Sequence, residues 1–225
     1  MKAVLICLDM DPVSIQGDVH TGAAHLYVKE TLEMLNHFGV KTIAFTRWNS
    51  PSKPNIERID EHVELYRLPI GDITHQPKEF LLNKEAEAIS QIDEVLTQRD
   101  FIPDLVHGIY WYSGNVASQL AIRFRTPFIY TIISLGRVKH SFQKTISDHD
   151  RCREISEQNI FEHANIILSV CEQEKNNLLD LYPGINSKKI RVIGRGLDSA
   201  LFTNTQTNFD EELVKIAQSN GLFAI

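Results

Sequence analysis

Two stretches in which an apolar run breaks into a glycine-containing polar turn constrain the fold of this chain most strongly. One covers residues 127–139 (PFIYTIISLGRVK) and the other covers residues 104–111 (DLVHGIYW). A parallel strand that is buried on both faces is apolar throughout, and its carboxyl end leads into a crevice at the sheet edge. Both stretches therefore predict parallel strands that deliver residues to a ligand crevice.

Similar strands alternate with helices along the rest of the chain. The apolar run 2–8 predicts a first strand, and an apolar stripe that follows Gly22 predicts a helix that Gly39 closes. Further strands are predicted at 40–45, 63–68, 105–107, 128–132, 166–170 and 189–193, and further helices at 78–98, 114–124, 150–163 and 172–181. This alternation predicts an α/β, Rossmann-like doubly wound, mainly parallel sheet with helices on both faces.

Composition excludes several classes of protein. The net charge of −6 argues against a general nucleic-acid binder. The three cysteines, Cys7, Cys152 and Cys171, form no CxxC pair, which favours a reducing compartment. No apolar run approaches the length of a transmembrane segment. We therefore expect a soluble cytoplasmic protein with no nucleic-acid partner.

The end of the chain has a different character. A polar stretch near residue 204 precedes a predicted helix at 209–218 and a short apolar run at 222–225. An apolar strand stub at a chain end would leave a pairing edge exposed. We expect one domain over residues 1–203, followed at 204–225 by a linker helix and the start of a missing carboxy-terminal domain.

The loop of residues 17–24 is the first candidate site. Open α/β sheets place ligand phosphates on the free amides of the helix that follows the first strand. Gly22 and Ala23 lie in this loop, and His25 follows it in the first turn of the predicted helix. A structural turn is the alternative, because the loop lacks both GxGxxG and GxxxxGK[ST], and the missing glycine pattern also disfavours a nucleotide-binding oxidoreductase.

The second candidate group comprises His107, Tyr110 and Trp111, at the end of the fourth predicted strand. A neutral imidazole there can donate to a ligand hydroxyl or shuttle a proton. A core histidine bonded to backbone is the alternative for His107. The two aromatic rings suit stacking on a ligand ring, although such rings more often serve packing.

The third candidate group follows the strand at 128–132 and comprises Ser134, Gly136, Arg137 and Lys139. Its two cations suit a phosphate or a phosphorylated acceptor, since an arginine binds phosphate oxygens in a bidentate manner. A solvated basic turn is the alternative.

Arg153 and Glu157 lie four residues apart on a predicted helix. This spacing alone indicates a surface ion pair between their side chains.

Histidine and acidic residues also occur near the helix starts, at His20, His25 and residues 148–150 (DHD). Neighbouring residues at a helix start point in different directions, and no complementary ligand set is evident. We therefore predict solvated side chains here and no metal site.

In their order along the chain and in their residues, these segments resemble the N-terminal domain of a GT-B glycosyltransferase of family 4, in the group that includes sucrose-phosphate synthase. The resemblance runs from about residue 2 to residue 202. It implies a retaining, two-domain enzyme that moves a hexose from a nucleotide sugar to a small-molecule or sugar acceptor, with no metal or other cofactor. It implies that His107 is catalytic. The implied substrate-binding residues are Gly22, Ala23, His25, Tyr110, Trp111, Ser134, Gly136, Arg137, Lys139 and Arg153.

The chain departs from the family pattern where the chemistry is expected. Ala23 stands at the second of two glycines, and Ile109 stands at the second histidine of a His-x-His-Tyr-Trp pattern. Ile133 replaces a histidine that, in the family, reaches the transferred sugar, and isoleucine forms no hydrogen bonds. The interdomain turn keeps Gly196 and Asp198 but lacks the prolines of the family.

Two expectations follow from these departures and from the missing domain. The isolated chain is expected to transfer little. A catalytically degenerate binding or regulatory module is the alternative to an enzyme.

Overall fold

The computed structural model of the chain describes residues 1–13, 22–76, 78–143 and 145–194. The strands are β1 (Lys2–Ile6), β2 (Lys41–Arg47), β3 (Ile56–Asp60), β4 (Val63–Leu68), β5 (Leu105–Ile109), β6 (Phe128–Thr131), β7 (Ile166–Ser169) and β8 (Ile190–Val192). The helices are α1 (Ala23–His37), α2 (Glu85–Gln98), α3 (Trp111–Phe124), α4 (Gly136–His140), α5 (Asp148–His163) and α6 (Glu172–Leu181).

These strands form one sheet in the order β3-β4-β2-β1-β5-β6-β7-β8. All neighbouring strands pair in parallel except β3, which runs antiparallel to β4. The chain leaves β1 toward β2 and β4, then returns to the other side of β1 as β5. The strand order therefore reverses between β1 and β5, and ligands of open α/β sheets bind at such a reversal, outside the carboxyl ends of the strands.

The two faces of the sheet carry separate cores, and residues of β1 alternate between them. Val4 and Ile6 pack in the first core, which contains residues of α2, α3, α5 and α6. Leu5 packs in the second core, to which α1 contributes Val28 and Leu32. The predicted doubly wound sheet with helices on both faces is confirmed.

Several local predictions need correction. The alternation does not predict β3, a short edge strand in which exposed and half-buried residues alternate. The helix predicted at 78–98 is interrupted: a 3₁₀ turn at Lys78–Leu81 is separated from α2 by Asn83, whose φ of 61° is left-handed. The sequence pattern also misses α4, which is only five residues long.

The boundary predicted at residues 203 and 204, the turn with Gly196 and Asp198, and the helix at 209–218 lie outside the described residues. Within the described part of the chain, no helix is both long and apolar enough to cross a membrane. Cys7, Cys152 and Cys171 are free thiols, of which Cys7 is buried.

Gly108 brings β5 into close contact with α3. A Cβ added to Gly108 would lie 2.8 Å from the Ala117 Cβ, 3.0 Å from the Gly114 Cα and 3.1 Å from the Ser113 carbonyl oxygen. We expect Gly108→Ala to lower the free energy of unfolding by about 1–3 kcal/mol. The added methyl group would clash with the backbone of α3, which cannot move aside as a flexible side chain can. Urea denaturation measures this change. Gly194→Ala is the control, since its Cβ would meet no atom of the described part of the chain within 4 Å. Equal stabilities of the two variants would contradict the prediction.

Candidate functional site

The candidate site lies at the carboxyl edge of the parallel strands, where β1, β5 and β6 end side by side. Helix α1 begins near this edge after the loop that follows β1, and α4 begins near it after β6. Side chains from four separate parts of the chain therefore meet at one edge because the strands are parallel.

Gly22 is the N-cap of α1, and its amide donates to the His25 Nδ1 at 3.2 Å. The first turn of α1 contains no acidic residue that would offset the positive end of the helix dipole. The φ of −138° at Gly22 is extended, and a Cβ added there would meet no atom of the described residues within 4 Å. The start of α1, which includes Ala23, thus offers a positive potential to an anion.

His107 lies beneath the edge, not at the end of its strand as the sequence indicates, because β5 continues to Ile109. The imidazole is 7% exposed, and its Nε2 lies 2.7 Å from the Thr131 hydroxyl oxygen. Burial lowers the pKa of His107 to about 4, because the charged form loses its hydration. His107 is therefore neutral at physiological pH.

The Thr131 hydroxyl joins His107 to α1. The Tyr27 hydroxyl oxygen lies 3.3 Å from the Thr131 Oγ1, so three side chains from β5, β6 and α1 form one polar chain. Sequence reasoning singles out neither Tyr27 nor Thr131. Tyr27 follows the Gly22 turn by five residues, and Thr131 lies in the stretch of residues 127–139; their nearness to the candidate turns is the signal that would have found them.

Tyr110 and Trp111 separate at the turn from β5 into α3. Tyr110 has a φ of 70°, a strained conformation for a residue with a side chain, and the Arg153 guanidinium lies 5.2 Å from its ring centroid. Trp111 is 1% exposed and stacks on Tyr112 at 3.7 Å between ring centroids. The Trp111 ring is part of the first core, so the structure places it in packing and not in position to stack on a ligand.

Arg153 and Glu157 form a buried ion pair, not the surface pair that their spacing indicates. Arg153 is 3% exposed and Glu157 is 0% exposed, and the Arg153 Nε donates to the Glu157 Oε1 at 2.8 Å. The Arg153 Nη2 also donates to the carbonyl and hydroxyl oxygens of Ser134, at 2.8 and 3.0 Å. The structure thus places Arg153 under the turn after β6, where it holds the exposed Ser134 in position.

Gly136 allows this turn to close over the ion pair. Its amide donates to the Glu157 Oε2 at 2.9 Å, and the Tyr182 hydroxyl donates to the same carboxylate. An added Cβ would lie 2.9 Å from the Glu157 Oε2 and 3.1 Å from the Arg153 Nε. Both carboxylate oxygens of the buried Glu157 therefore accept hydrogen bonds. A buried charge is tolerated only when it is paired and hydrogen-bonded in this way.

The two cations of α4 have different surroundings. Arg137 donates to the Leu181 carbonyl, lies 4.6 Å from the Tyr182 ring centroid and lies 3.4 Å from the Glu154 Oε2. Lys139 is exposed and makes no ion pair with any described residue. Of the two, Lys139 is the cation that can turn toward a ligand without breaking contacts.

Sequence reasoning also misses His140, which fastens α4 to α5. Its Nδ1 contacts the Glu154 carboxylate, and its Nε2 lies 3.0 Å from the Asp150 Oδ1. A hydrogen bond from the Ser147 hydroxyl, together with His140, holds the pKa of Asp150 well below its usual range. Asp150 is thus engaged in capping and fastening α5.

A buried ion network supports the end of β1. The Asp11 carboxylate accepts from the Arg67 Nε and from the Lys53 Nζ, both at 2.8 Å. Burial raises the pKa of Asp11, but the hydrogen bonds from Arg67 and Lys53 outweigh burial and hold it below the usual value. The sequence pattern contains no signal for this network, since its members come from separate segments.

Both isoleucines that depart from the family pattern lie on the second core. Ile109 is fully buried there, and Ile133 is partly buried against the same core. Neither position offers a hydrogen bond to a ligand.

Among the acidic and histidine residues near helix starts, His25, His149 and Asp150 make hydrogen bonds within the protein, whereas Asp148 is exposed. The His149 Nε2 lies 2.7 Å from the Tyr112 hydroxyl oxygen. His20 falls outside the described residues. In the ranges that the structure describes, no group of three or more histidine, cysteine or acidic side chains could hold a metal ion.

Comparison with known proteins identifies the family. Residues 22–196 match the model of the glycosyl transferase 4-like domain. The chain is 25% identical over 204 residues to the D-inositol 3-phosphate glycosyltransferase of Corynebacterium glutamicum (strain R), with coverage of 90% of this chain and 49% of that protein. It is 27% identical over 206 residues to the protein of the same name from Pseudarthrobacter chlorophenolicus, with coverage of 90% and 48%.

Solved structures agree with this result. The sucrose-phosphate synthase of Thermosynechococcus elongatus superimposes with a TM-score of 0.82 at 26% identity, over 89% of this chain and 49% of that chain. Anabaena HepE in complex with UDP-glucose superimposes with a TM-score of 0.55 at 14% identity, over 98% of this chain and 50% of that chain, which is a likeness of fold alone. The chain thus spans about half the length of the relatives it matches. Since the family model covers most of the chain, the chain belongs to the glycosyl transferase 4-like family, with a GT-B-like α/β fold.

Proposed function

We propose that this chain forms the acceptor-side half of a retaining glycosyltransferase, which moves a hexose from a nucleotide sugar to a small-molecule or sugar acceptor. The observation that carries this proposal is the meeting of three features at one sheet edge. These are the positive start of α1 at Gly22, the His107-Thr131-Tyr27 polar chain, and the turn that Arg153 holds. Family membership supports the same reaction class.

Each feature has a role in such a transfer. The start of α1 stabilises negative charge as the nucleoside diphosphate departs. Neutral His107 and the fully buried Thr131 fix the ends of β5 and β6 and the position of Tyr27 on α1, so His107 is a positioning residue that acts through Thr131 and Tyr27. Arg153 and Glu157 keep the turn that carries Ser134 rigid. The reaction uses no metal and no cofactor other than the donor itself.

The acceptor in this proposal carries a phosphate group. Exposed Lys139 supplies a cation for it at the crevice edge. The names of two similar proteins, D-inositol 3-phosphate glycosyltransferase and sucrose-phosphate synthase, each contain a phosphorylated compound. In this proposal a second domain makes most of the contacts with the donor nucleotide. Residues 1–225 alone therefore transfer little hexose.

Assays of the natural protein that contains this chain test the proposal. The protein is incubated with nucleotide hexoses and phosphorylated acceptors, and the product is analysed by mass spectrometry and by NMR of the anomeric proton. We expect a glycoside with the anomeric configuration of the donor. A protein that neither binds nor consumes any nucleotide sugar would refute the proposal.

Ile109 and Ile133 support a second candidate function, a catalytically degenerate binding or regulatory module. Both positions are apolar where the resembling family has histidine. This candidate predicts nucleotide-sugar binding in calorimetry without turnover. It also predicts that Ile133→His restores some transfer.

The charge at the start of α1 gives a testable prediction. Gly22→Asp should leave the fold intact and stabilise it by about a few tenths of a kcal/mol, since Asp is a better N-cap than Gly. The added carboxylate should nevertheless raise the donor KM roughly tenfold, which corresponds to about 1.4 kcal/mol of repulsion. Gly22→Asn is the matched control, because it adds the same bulk and cap without the charge. An equal donor KM for the two variants would show that no phosphate lies at this helix start.

The buried imidazole predicts a pH dependence of stability. The unfolded chain binds a proton at His107 near pH 6.5, whereas the folded chain binds it only near pH 4. Between these pH values the unfolded state binds more protons, so stability falls as the pH falls, by on the order of 3 kcal/mol from this group. Urea denaturation at pH 7 and pH 4.5 should show a smaller loss for His107→Gln than for the native protein. An equal loss of stability in the native protein and in His107→Gln would contradict the lowered pKa of the buried His107.

A further inference from the structure

Helix α4 is held to the rest of the protein more by polar contacts than by apolar packing. It contains five residues, which is too few for a helix that is stable by itself. Val138 packs against the first core, whereas Lys139 is exposed. Phe142, just after the helix, is 86% exposed and therefore adds little packing. The position of α4 thus depends on the charged groups that attach it to α5.

His140 is at the centre of this attachment. Its imidazole is buried between two carboxylates of α5. The His140 Nδ1 contacts the Glu154 carboxylate, and the Nε2 lies 3.0 Å from the Asp150 Oδ1. A neutral imidazole has one N–H and one lone pair, and the lone pair would repel the carboxylate oxygen that it faces. Both ring nitrogens therefore carry protons when α4 is attached, and the ring is a cation.

Each of the two carboxylates has a further contact besides His140. The Asp150 Oδ2 accepts from the Ser147 hydroxyl at 2.7 Å and from the Ser147 amide at 3.2 Å. The Glu154 Oε2 lies 3.4 Å from the Arg137 Nε. These contacts hold both carboxylates in place, so loss of a proton from His140 would leave a lone pair facing a fixed negative charge.

Charges at the contact of α4 with α5 balance only when His140 is protonated. Besides His140, the described side chains at this contact include three acids and two arginines: Asp150, Glu154, Glu157, Arg137 and Arg153. From α6 and its end, the Leu181 carbonyl accepts from Arg137 and the Tyr182 hydroxyl donates to Glu157. The His149 Nδ1 lies farther from the Asp150 Oδ1, at 3.9 Å. A neutral His140 therefore leaves one negative charge of this group without a counter-charge.

We propose that His140 is a pH-sensitive switch: its protonated ring holds α4 on α5, and loss of that proton releases α4, together with Lys139, from the crevice edge. The attached state binds one more proton than the released state, so attachment is favoured at low pH and weakens as the pH rises. An exposed histidine loses its proton at about pH 6.5, so the attachment weakens above roughly that pH. One proton changes the equilibrium between the two states by at most about tenfold per pH unit.

Hydrogen–deuterium exchange in the natural protein that contains the chain tests this switch. The amides of Lys139 and Ser141 donate to backbone carbonyls within and just before α4. Their protection factors, corrected for the intrinsic effect of pH on exchange, report how often α4 is released. We expect these factors to fall from about pH 6 to about pH 9, by up to roughly tenfold per pH unit. Protection factors that stay constant over this range would overturn the proposal.

Variants assign the effect to His140. His140→Gln removes the charge, so α4 should show low protection at every pH. His140→Lys supplies a cation over the whole range, so α4 should keep more protection than the native protein at high pH. His163→Gln is the matched control and should behave as the native protein, since His163 lies exposed at the far end of α5. Circular dichroism spectra confirm that each variant is folded.

The ring of His140 can also be examined in the native protein, without any substitution. In ¹⁵N–¹H spectra of protein with labelled histidine, we expect both ring nitrogens of His140 to be protonated at about pH 6, where α4 is attached. A ring with a single N–H in the attached state would overturn the proposal, because the additional proton would then lie on a carboxyl group. Equal α4 protection in the native protein and in His140→Gln would overturn it too.

The consequence for ligand binding rests on the proposed function, whereas the switch itself does not. Release of α4 moves Lys139 away from the crevice edge, so the KM for a phosphorylated acceptor should rise with pH in the native protein and less in His140→Lys. Protection that depends on pH in a protein without transferase activity would support the switch and refute the proposed function. Transfer by a protein whose α4 protection is independent of pH would overturn the switch alone.

Discussion

The parallel pairing of β1 with β2 on one side and with β5 on the other is the constraint on which the rest of this structure depends. It aligns the carboxyl ends of strands that are about 100 residues apart in the chain, since Leu5 pairs with His107. It also reverses the strand order at β1, which opens a crevice there. The starts of α1 and α4 lie near the same edge only because the strands that precede them, β1 and β6, run parallel on either side of β5.

Buried charges then determine which parts of that edge are rigid. Glu157 is fully buried, yet it accepts hydrogen bonds from Arg153, Gly136 and Tyr182. Removing one partner of such a pair typically costs about 3–5 kcal/mol, because the other charge stays buried without compensation. The turn at Ser134 therefore has a fixed shape, while Lys139 on the neighbouring helix remains exposed. In the described part of the chain, a rigid turn thus lies beside an exposed cation.

Much of the fold could be predicted from local sequence. The helix predicted at 172–181 coincides with α6, and each predicted strand overlaps an observed one, because apolar runs and helical stripes are local signals. The failures have physical causes as well. Strand β3 has an exposed outer edge and therefore no apolar run, and α4 is too short to show a period. Asn83 interrupts the predicted helix at 78–98 through a left-handed φ that composition does not reveal.

The sequence alone determined the α/β alternation, the glycines at the turns and the resemblance to a glycosyltransferase family, since all three are properties of neighbouring residues. Only the tertiary structure decided that Trp111 belongs to the core, that Arg153 is buried under a turn, and that Thr131 connects His107 to Tyr27. Burial and hydrogen bonding depend on residues that are distant in sequence and adjacent in space. Spacing along the chain gives no measure of either, so the same Arg-x-x-x-Glu pattern suits a solvated helix surface or a buried ion pair until the fold is known.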